Sequence, residues 1–315
     1  MSKSVAEMRG RHAYGDSIFK ILVACFGSFL ILLLVLYFGE IGNSSLPSIG
    51  KFGLSYLFGS TWNPPREIFQ VYPEIAGTLI SSVIALLIGV PISLGVAVFL
   101  SEMSGYRVRT IIGSVVELLA AVPSVVYGFW GLAFFVPFVM RPIDQALQAA
   151  LGFLPLFQGR ITGFDMLSAG VVLAIMIIPI VASISREAML AVPNSQREAA
   201  YALGGTKSEV IGLSVFGYAR SGLVAAVFLG FGRALGETMA VTMVIGNSLQ
   251  IQPSLFQPAQ TLASLIANSY AEATGQVAIS AIIEAGLVLL GISLVVNVGA
   301  RFILRRVIKK GAQLI

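Results

Sequence analysis

Charge is what this chain has least of. Only 11% of its 315 residues are Asp, Glu, Lys or Arg, against about 25% in a typical soluble domain. A water-soluble fold of this length needs a charged shell, and this composition cannot make one. Cysteine occurs once, at Cys25. A single thiol excludes both a disulfide framework and a cysteine-ligated metal cluster, and within an apolar run it reads as a packing residue. Histidine also occurs once, at His12 in a polar stretch, where it reads as a solvated side chain. No catalytic constellation, metal site, low-complexity tract or internal repeat emerges, so one membrane domain accounts for the chain.

What is present in quantity is apolar surface, at 57% of residues. Crossing a bilayer takes roughly 20 apolar residues, because about 30 Å of hydrocarbon is covered at 1.5 Å per residue. Six stretches meet that length, near 18–38, 75–100, 111–140, 166–185, 221–246 and 277–300. The expected fold is therefore an all-α membrane protein with six transmembrane helices. The first run is too long for a signal peptide and lacks an Ala-x-Ala cleavage pattern, so it reads as a retained span.

The net charge of +5 is distributed as a topology signal. Lys3, Arg9, Arg11, Lys20, Arg107, Arg109, Arg186, Arg197, Lys207, Arg220, Arg301, Arg305, Arg306, Lys309 and Lys310 fall at one set of ends and loops. Lys51, Arg66, Arg141 and Arg160 fall at the other. The positive-inside rule places both termini in the cytoplasm and removes the case for a nucleic-acid partner. The expected divisions are a cytoplasmic tail over 1–17, a first span with a long external loop over 18–74, a core over 75–300, and a basic tail over 301–315. The external loop 39–74 holds Pro47, Pro64, Pro65 and Pro73 with several aromatic residues, and reads as a small ordered cap, partly helical. Helical spacing of Leu262, Ala263, Ile266, Ala267 and Tyr270 predicts a short external helix.

The internal loop 186–220 is long for a simple connection. Pro193 breaks the chain, Asn194 or Ser195 can cap a new helix, and Gly204-Gly205 can end it. A short helix over 196–203 follows, displaying Arg197 and Glu198 to the cytoplasm and suited to docking on a partner. An ordinary surface helix is the competing reading.

Span five carries Arg233 and Glu237, four apart and thus on one helical face. Each charge near the bilayer centre costs about 2.5–3.5 kcal/mol on insertion scales, and a Gly- and Ala-rich span barely offsets two. That face must point into protein or a water-filled path. Arg233 offers a permanent cation with a planar donor fork suited to an oxyanion, and Glu237 would neutralise and orient it. A structural ion pair is the alternative. Glu284 in span six needs a partner and is balanced between a structural and a path role. Ser124 and Tyr127 offer hydroxyls near the Pro123 kink, where backbone rescue competes with substrate contact.

Two superficial signals are set aside. The run 204–208 interrupts the Gly-Lys-Ser/Thr order of a nucleotide loop, and the glycines at 230, 232 and 236 lie inside a span with the wrong spacing for a dinucleotide fingerprint.

Glu198-Ala199-Ala200, followed by Gly204, resembles the cytoplasmic signature of permeases in ATP-binding-cassette importers. The continuation usual in that family, Ile-x-Leu-Pro, is Ser214-Val215-Phe216-Gly217 here. The segments GRALGETMAVTMVIGN (232–247) and ELLAAVPSVVYGFWG (117–131) are similar to the C-type permeases of phosphate-specific transport, the PstC family, and the similarity runs over nearly the whole chain. That resemblance implies a type I importer permease (MetI-like) core in the bacterial inner membrane and a coupling helix, with Arg197, Glu198, Ala199, Ala200 and Gly204 at an ATPase. It also implies a second, homologous permease as heterodimer partner, an ATPase dimer holding ATP and Mg, and an external phosphate-binding protein. No cofactor is expected in this chain. Sulfate or molybdate as cargo is a rival reading, and an ion-coupled secondary transporter, which would favour inverted repeats, is a more distant one.

Overall fold

A computed structural model describes the backbone of residues 2–250 and 252–312, with side chains for 19–250, 252–303 and 305. The side chains of Lys3, Arg9, Arg11, His12, Arg306, Lys309 and Lys310 lie outside the described residues. The helices are α1 (Ser2–Phe52), α2 (Ser55–Phe58), α3 (Tyr72–Val98), α4 (Tyr106–Ala120), α5 (Ser124–Trp130), α6 (Arg141–Leu151), α7 (Met166–Leu190), α8 (Asn194–Ala202), α9 (Lys207–Glu209), α10 (Phe216–Leu235), α11 (Met239–Val244), α12 (Leu262–Ser269) and α13 (Gln276–Ala312). Three π-helical stretches, Phe99–Met103, Gly131–Met140 and Val210–Val215, join neighbouring helices. Six continuous segments are long and apolar enough to span a bilayer: Phe19–Phe52, Tyr72–Met103, Ser124–Leu151, Met166–Leu190, Lys207–Leu235 and Gln276–Ile303. The six-span expectation is met.

Three boundaries differ from the sequence reading, each at a proline or a glycine. The first helix does not stop near 38 but continues through Pro47 to Phe52. An internal proline removes one backbone hydrogen bond, and beside it the Ser48 amide donates to Ser280 Oγ of α13 at 3.0 Å. The expected third span, 111–140, is two elements. The amphipathic helix α4 ends at Ala120, Pro123 caps α5, and the apolar crossing begins only at Ser124. Pro137 lies in π-helical backbone, not in a kinked α-helix. The expected fifth span, 221–246, is broken: α10 ends at Leu235, Gly236 caps it, and α11 starts afresh at Met239.

Helix α7 is the centre of the bundle, with Val172, Leu173, Ile177 and Val181 fully or almost fully buried. Close approach on either side depends on glycine. A Cβ on Gly89 of α3 would lie 2.9 Å from Ile177 Cγ1, and one on Gly230 of α10 would lie 2.6 Å from Val181 Cγ2. Small residues at such contacts let helices pack without a hydrophobic driving force between them. Helix α1 packs on α13, and its side chains from Phe19 to Phe38 stay exposed, the surface that lipid covers.

The segment after α1 is ordered, as expected, though part of it is strand. Trp62–Asn63 pairs antiparallel with Ile68–Phe69, and Trp62 stacks edge-on against Phe69 with ring centroids 4.9 Å apart. Tyr56 is fully buried and donates to the Ala281 carbonyl at 2.6 Å. Burial first, then the negative charges of Glu284 and Glu74, push the Tyr56 phenol well above its ordinary range. The short helix foreseen near 262–270 is α12, closed at its start by the capping box of Thr261 and Ser264.

Candidate transport path and coupling site

The break after α10 decides the geometry around Arg233. Arg233 occupies the last turn of α10, and the Gly236 amide closes that turn onto the Gly232 carbonyl at 3.3 Å. Glu237 falls outside both helices. Its Oε1 accepts from the Ala240 amide at 3.3 Å and so caps the start of α11. The expected i, i+4 pairing on one continuous face is therefore corrected: the interruption turns Glu237 away, and no carboxylate lies within 4.0 Å of Arg233 among the described residues. Arg233 Nε is buried without a hydrogen-bond partner among them.

The two residues nevertheless meet the same space. Arg233, Glu237, Gly232, Gly236, Ile180, Phe228, Leu229 and Asn297 line a cavity of about 610 Å³. It holds one permanent cation, one carboxylate and one carboxamide in otherwise apolar walls. Asn297 was missed from the sequence. Its signal was available, because an amide within an apolar span is costly unless it faces protein or water. Asn297 donates to the Ser293 carbonyl at 2.9 Å.

The remaining intramembrane candidates are placed apart from this cavity. Tyr127 is near enough for the Arg233 charge to act on it, but its hydroxyl donates to the Leu119 carbonyl at 3.0 Å, across the Pro123 break. That is the backbone-rescue role. Ser124 opens α5 beside the same break and does not line the cavity. Glu284 is 6% exposed, sits by Ser48, and does not line the cavity.

The helix of the loop 186–220 forms one or two residues from its expected limits, as Asn194–Ala202. Pro193 occupies the cap position and no side chain bonds to the first turn, so the expected Asn194 or Ser195 cap is not made. Gly204 ends the helix at φ +83°, a left-handed conformation that glycine adopts without steric cost. Thr206 and Glu209 then form a capping box that starts the next segment. No residue of α8 is buried. Ala199, Ala200, Gly204 and the 91% exposed Leu203 line a groove of about 540 Å³, with Glu198 exposed beside it.

Arg197 departs from the expected outward display. Its guanidinium turns inward and grips Glu102, with Nε to Oε2 at 3.1 Å and Nη2 to Oε1 at 2.7 Å. Nη2 also reaches the Met189 carbonyl at 2.8 Å. Glu102 was overlooked because it is distant in sequence and looks like an ordinary residue at a span end. A second network joins α4 to α7: Arg186 bridges Glu117 at 2.9 Å and Glu187 at 2.7 Å.

Residues 89–309 match the family described as the binding-protein-dependent transport system inner membrane component. The chain is 42% identical over 306 residues to the phosphate transport system permease protein PstC of Pasteurella multocida, covering 96% of this chain and 95% of that one. It is 42% identical over 295 residues to PstC of Haemophilus influenzae, covering 92% and 93%. The probable PstC of Methanocaldococcus jannaschii is 35% identical over 296 residues, covering 91% and 93%. Among solved structures, a bacterial ABC transporter involved in alginate import superposes with TM-score 0.58 at 17% identity, covering 91% of this chain and 95% of that chain. The inward-facing methionine transporter MetNI gives 0.52 at 17% identity, covering 78% and 96%. At these identities the structural likeness establishes the permease fold.

Proposed function

The chain belongs to the inner-membrane components of binding-protein-dependent transport systems, and within them to the PstC permeases, and on that premise we propose that it carries inorganic phosphate across the inner membrane past Arg233. The observation that carries the assignment of the path is a guanidinium that lines an open cavity and is held by no carboxylate among the described residues. An unpaired cation in a low-dielectric wall attracts an oxyanion strongly, and its planar fork can meet two phosphate oxygens at once. Glu237 lines the same cavity 7% exposed. Its negative charge opposes that of the passing anion and keeps the site from holding phosphate too tightly, as conduction requires.

Coupling in this reading runs through α8. The exposed Glu198, with Ala199, Ala200 and Gly204 along the groove, forms the contact for a separate ATPase dimer that binds ATP and Mg, while a second, homologous permease completes the path. A phosphate-binding protein delivers cargo on the outside, over the cap and α12. Both termini lie in the cytoplasm, consistent with the basic residues at those ends. Closure of the ATPase dimer moves α8, tilts α7 and α10, and changes the side to which Arg233 opens.

Radiolabelled phosphate uptake tests the proposal in proteoliposomes holding this chain with its partner permease and ATPase, binding protein outside and ATP within. Uptake that requires ATP and resists excess sulfate supports it. ATP-dependent uptake of sulfate or molybdate in place of phosphate overturns the cargo, and phosphate uptake driven by an ion gradient without ATP overturns the class.

A further inference from the structure

The strongest polar contact of the cytoplasmic-loop helix is not on its exposed face but beneath it. Helix α8 buries no side chain, so apolar packing does little to hold it. What holds it is Arg197. The guanidinium spends Nε and Nη2 on the two oxygens of Glu102 and donates as well to the carbonyls of Met189 and Val192. The Arg197 and Glu102 side chains are only 16% and 10% exposed. A fork–fork pair of this kind fixes direction as well as distance. One side chain of α8 thus ties together α8, the last turns of α7, and the segment that ends α3.

The Glu102 end of this tie has an unusual backbone. Glu102 lies in the π-helical turn Phe99–Met103, which continues α3, and such turns occur where a helix must change its register locally. The same turn is held from its other side. Arg109 of α4 donates from Nε to the Leu100 carbonyl at 2.7 Å and from Nη2 to the Ser101 carbonyl at 2.6 Å. The carboxylate of the turn is therefore bound to α8 and its carbonyls to α4. A second π-helical stretch, Val210–Val215, flanks α8 on its downstream side, with Ser214 Oγ donating to the Gln196 carbonyl at 3.0 Å.

We infer that the Arg197–Glu102 fork is the positioning link that transmits displacement of α8 to α3 through the π turn Phe99–Met103. Without it α8 moves as a surface element and α3 stays behind. The inference rests on the docking role proposed for α8 but assigns the transmission to different residues on the opposite face. Arg197 and Glu102 touch neither cargo nor nucleotide; they act through the helices they join.

The test uses the whole reconstituted transporter, reading phosphate uptake and ATP hydrolysis in the same vesicles. Glu102→Gln keeps the shape and removes the charge; Arg197→Lys keeps the charge and removes the fork. Both should lower phosphate carried per ATP hydrolysed by about tenfold, within the usual range for a coupling energy, while the ATPase still co-purifies and still hydrolyses ATP. An unchanged uptake-to-hydrolysis ratio in both variants overturns the inference, and so does loss of ATPase binding, which would make the pair structural. Absence of ATP-dependent uptake in the unsubstituted complex would instead defeat the importer reading itself. A second measurement leaves Arg197 and Glu102 in place. In the otherwise native chain with Cys25→Ala, spin labels at Ser195→Cys and Met103→Cys should keep one separation throughout the ATP cycle. A separation that changes by several ångströms while uptake proceeds normally refutes a rigid tie.

Discussion

Replacing Arg233 by Gln should separate transport from stability in opposite directions. The guanidinium has no ion pair among the described residues and one of its nitrogens is buried without a partner. Its removal therefore abandons no salt bridge and relieves part of the about 2.5–3.5 kcal/mol that a charge costs within a membrane span. Thermal stability of the assembled complex should hold or rise. Transport loses what the cation supplies to a passing phosphate. Hydrogen bonds to a charged group contribute about 1.5–3 kcal/mol each, and a fork offers two. Allowing Gln to recover roughly half of that leaves about 1.5–3 kcal/mol, or about one to two decades in rate at 1.36 kcal/mol per decade. Arg233→Lys, which keeps the charge and forfeits the fork, should fall between the two. The assay is phosphate uptake in proteoliposomes beside a melting curve of the same preparation. Uptake within about threefold of the native rate in Arg233→Gln, short of the expected one to two decades, would refute the path assignment. A melting temperature several degrees lower would show that Arg233 is a structural member after all.

Other substitutions probe the remaining assignments. Glu198→Lys, on the exposed face of α8, should weaken ATPase co-purification at least tenfold by placing a cation where an anion docks; unaltered recovery would return α8 to an ordinary surface helix. Gly204→Val forces a β-branched side chain to φ +83° and should lower the melting midpoint by the equivalent of about 1–3 kcal/mol, checked by thermal unfolding in detergent. Asp165 is buried, and burial is the main cause that raises its carboxyl above the ordinary 3.8. The folded state then retains a proton that the unfolded chain releases, so this group's contribution is fully present below the ordinary value and is lost as pH rises through the folded one. Asp165→Asn keeps an oxygen for the Ser168 amide, now at 2.8 Å, and should flatten the decline of stability with rising pH; an unchanged profile would show that Asp165 does not cause it.

The six crossings were legible because apolar length is a property of composition, and lipid leaves few alternatives to a helix once that length is reached. The limits were legible only where a local signal acted alone. Gly204 ends α8 close to where it was expected, since a left-handed residue stops a helix whatever surrounds it. Pro47 did not stop α1, and the contact beside it, from the Ser48 amide to Ser280, lies too far off in sequence to be read locally. Pro123 was assigned a kink and makes a true break, because α4 is amphipathic and leaves the apolar crossing to begin after it. In the candidate site, Arg233 and Glu237 could be singled out one by one on the cost of burying charge. Their relation could not, since it depends on where α10 ends. Arg197 shows the same limit more sharply: its residue type suited an exposed docking face, and the carboxylate that turns it inward lies 95 positions away.

That break after α10 also bears on how a closed permease could release its cargo. Had the helix run unbroken through 236–238, Arg233 and Glu237 would stand one turn apart and pair, and an anion would have to compete with a covalently fixed carboxylate for the guanidinium. With Gly236 as a cap and Glu237 committed to the Ala240 amide, the carboxylate is held in the cavity wall but away from the cation. Glu237→Gln can still accept the Ala240 amide through its carbonyl, so α11 should remain capped and stability should change by under about 0.5–1 kcal/mol. The lost negative charge leaves Arg233 unopposed. Phosphate should then leave more slowly, and a charge felt across a cavity at an effective dielectric near 20 contributes about 1–2 kcal/mol at 8–16 Å. Single-turnover uptake would read this as normal loading with release slowed by about tenfold. A variant that loads and releases at the native rate would show that Glu237 serves the fold of α11 alone.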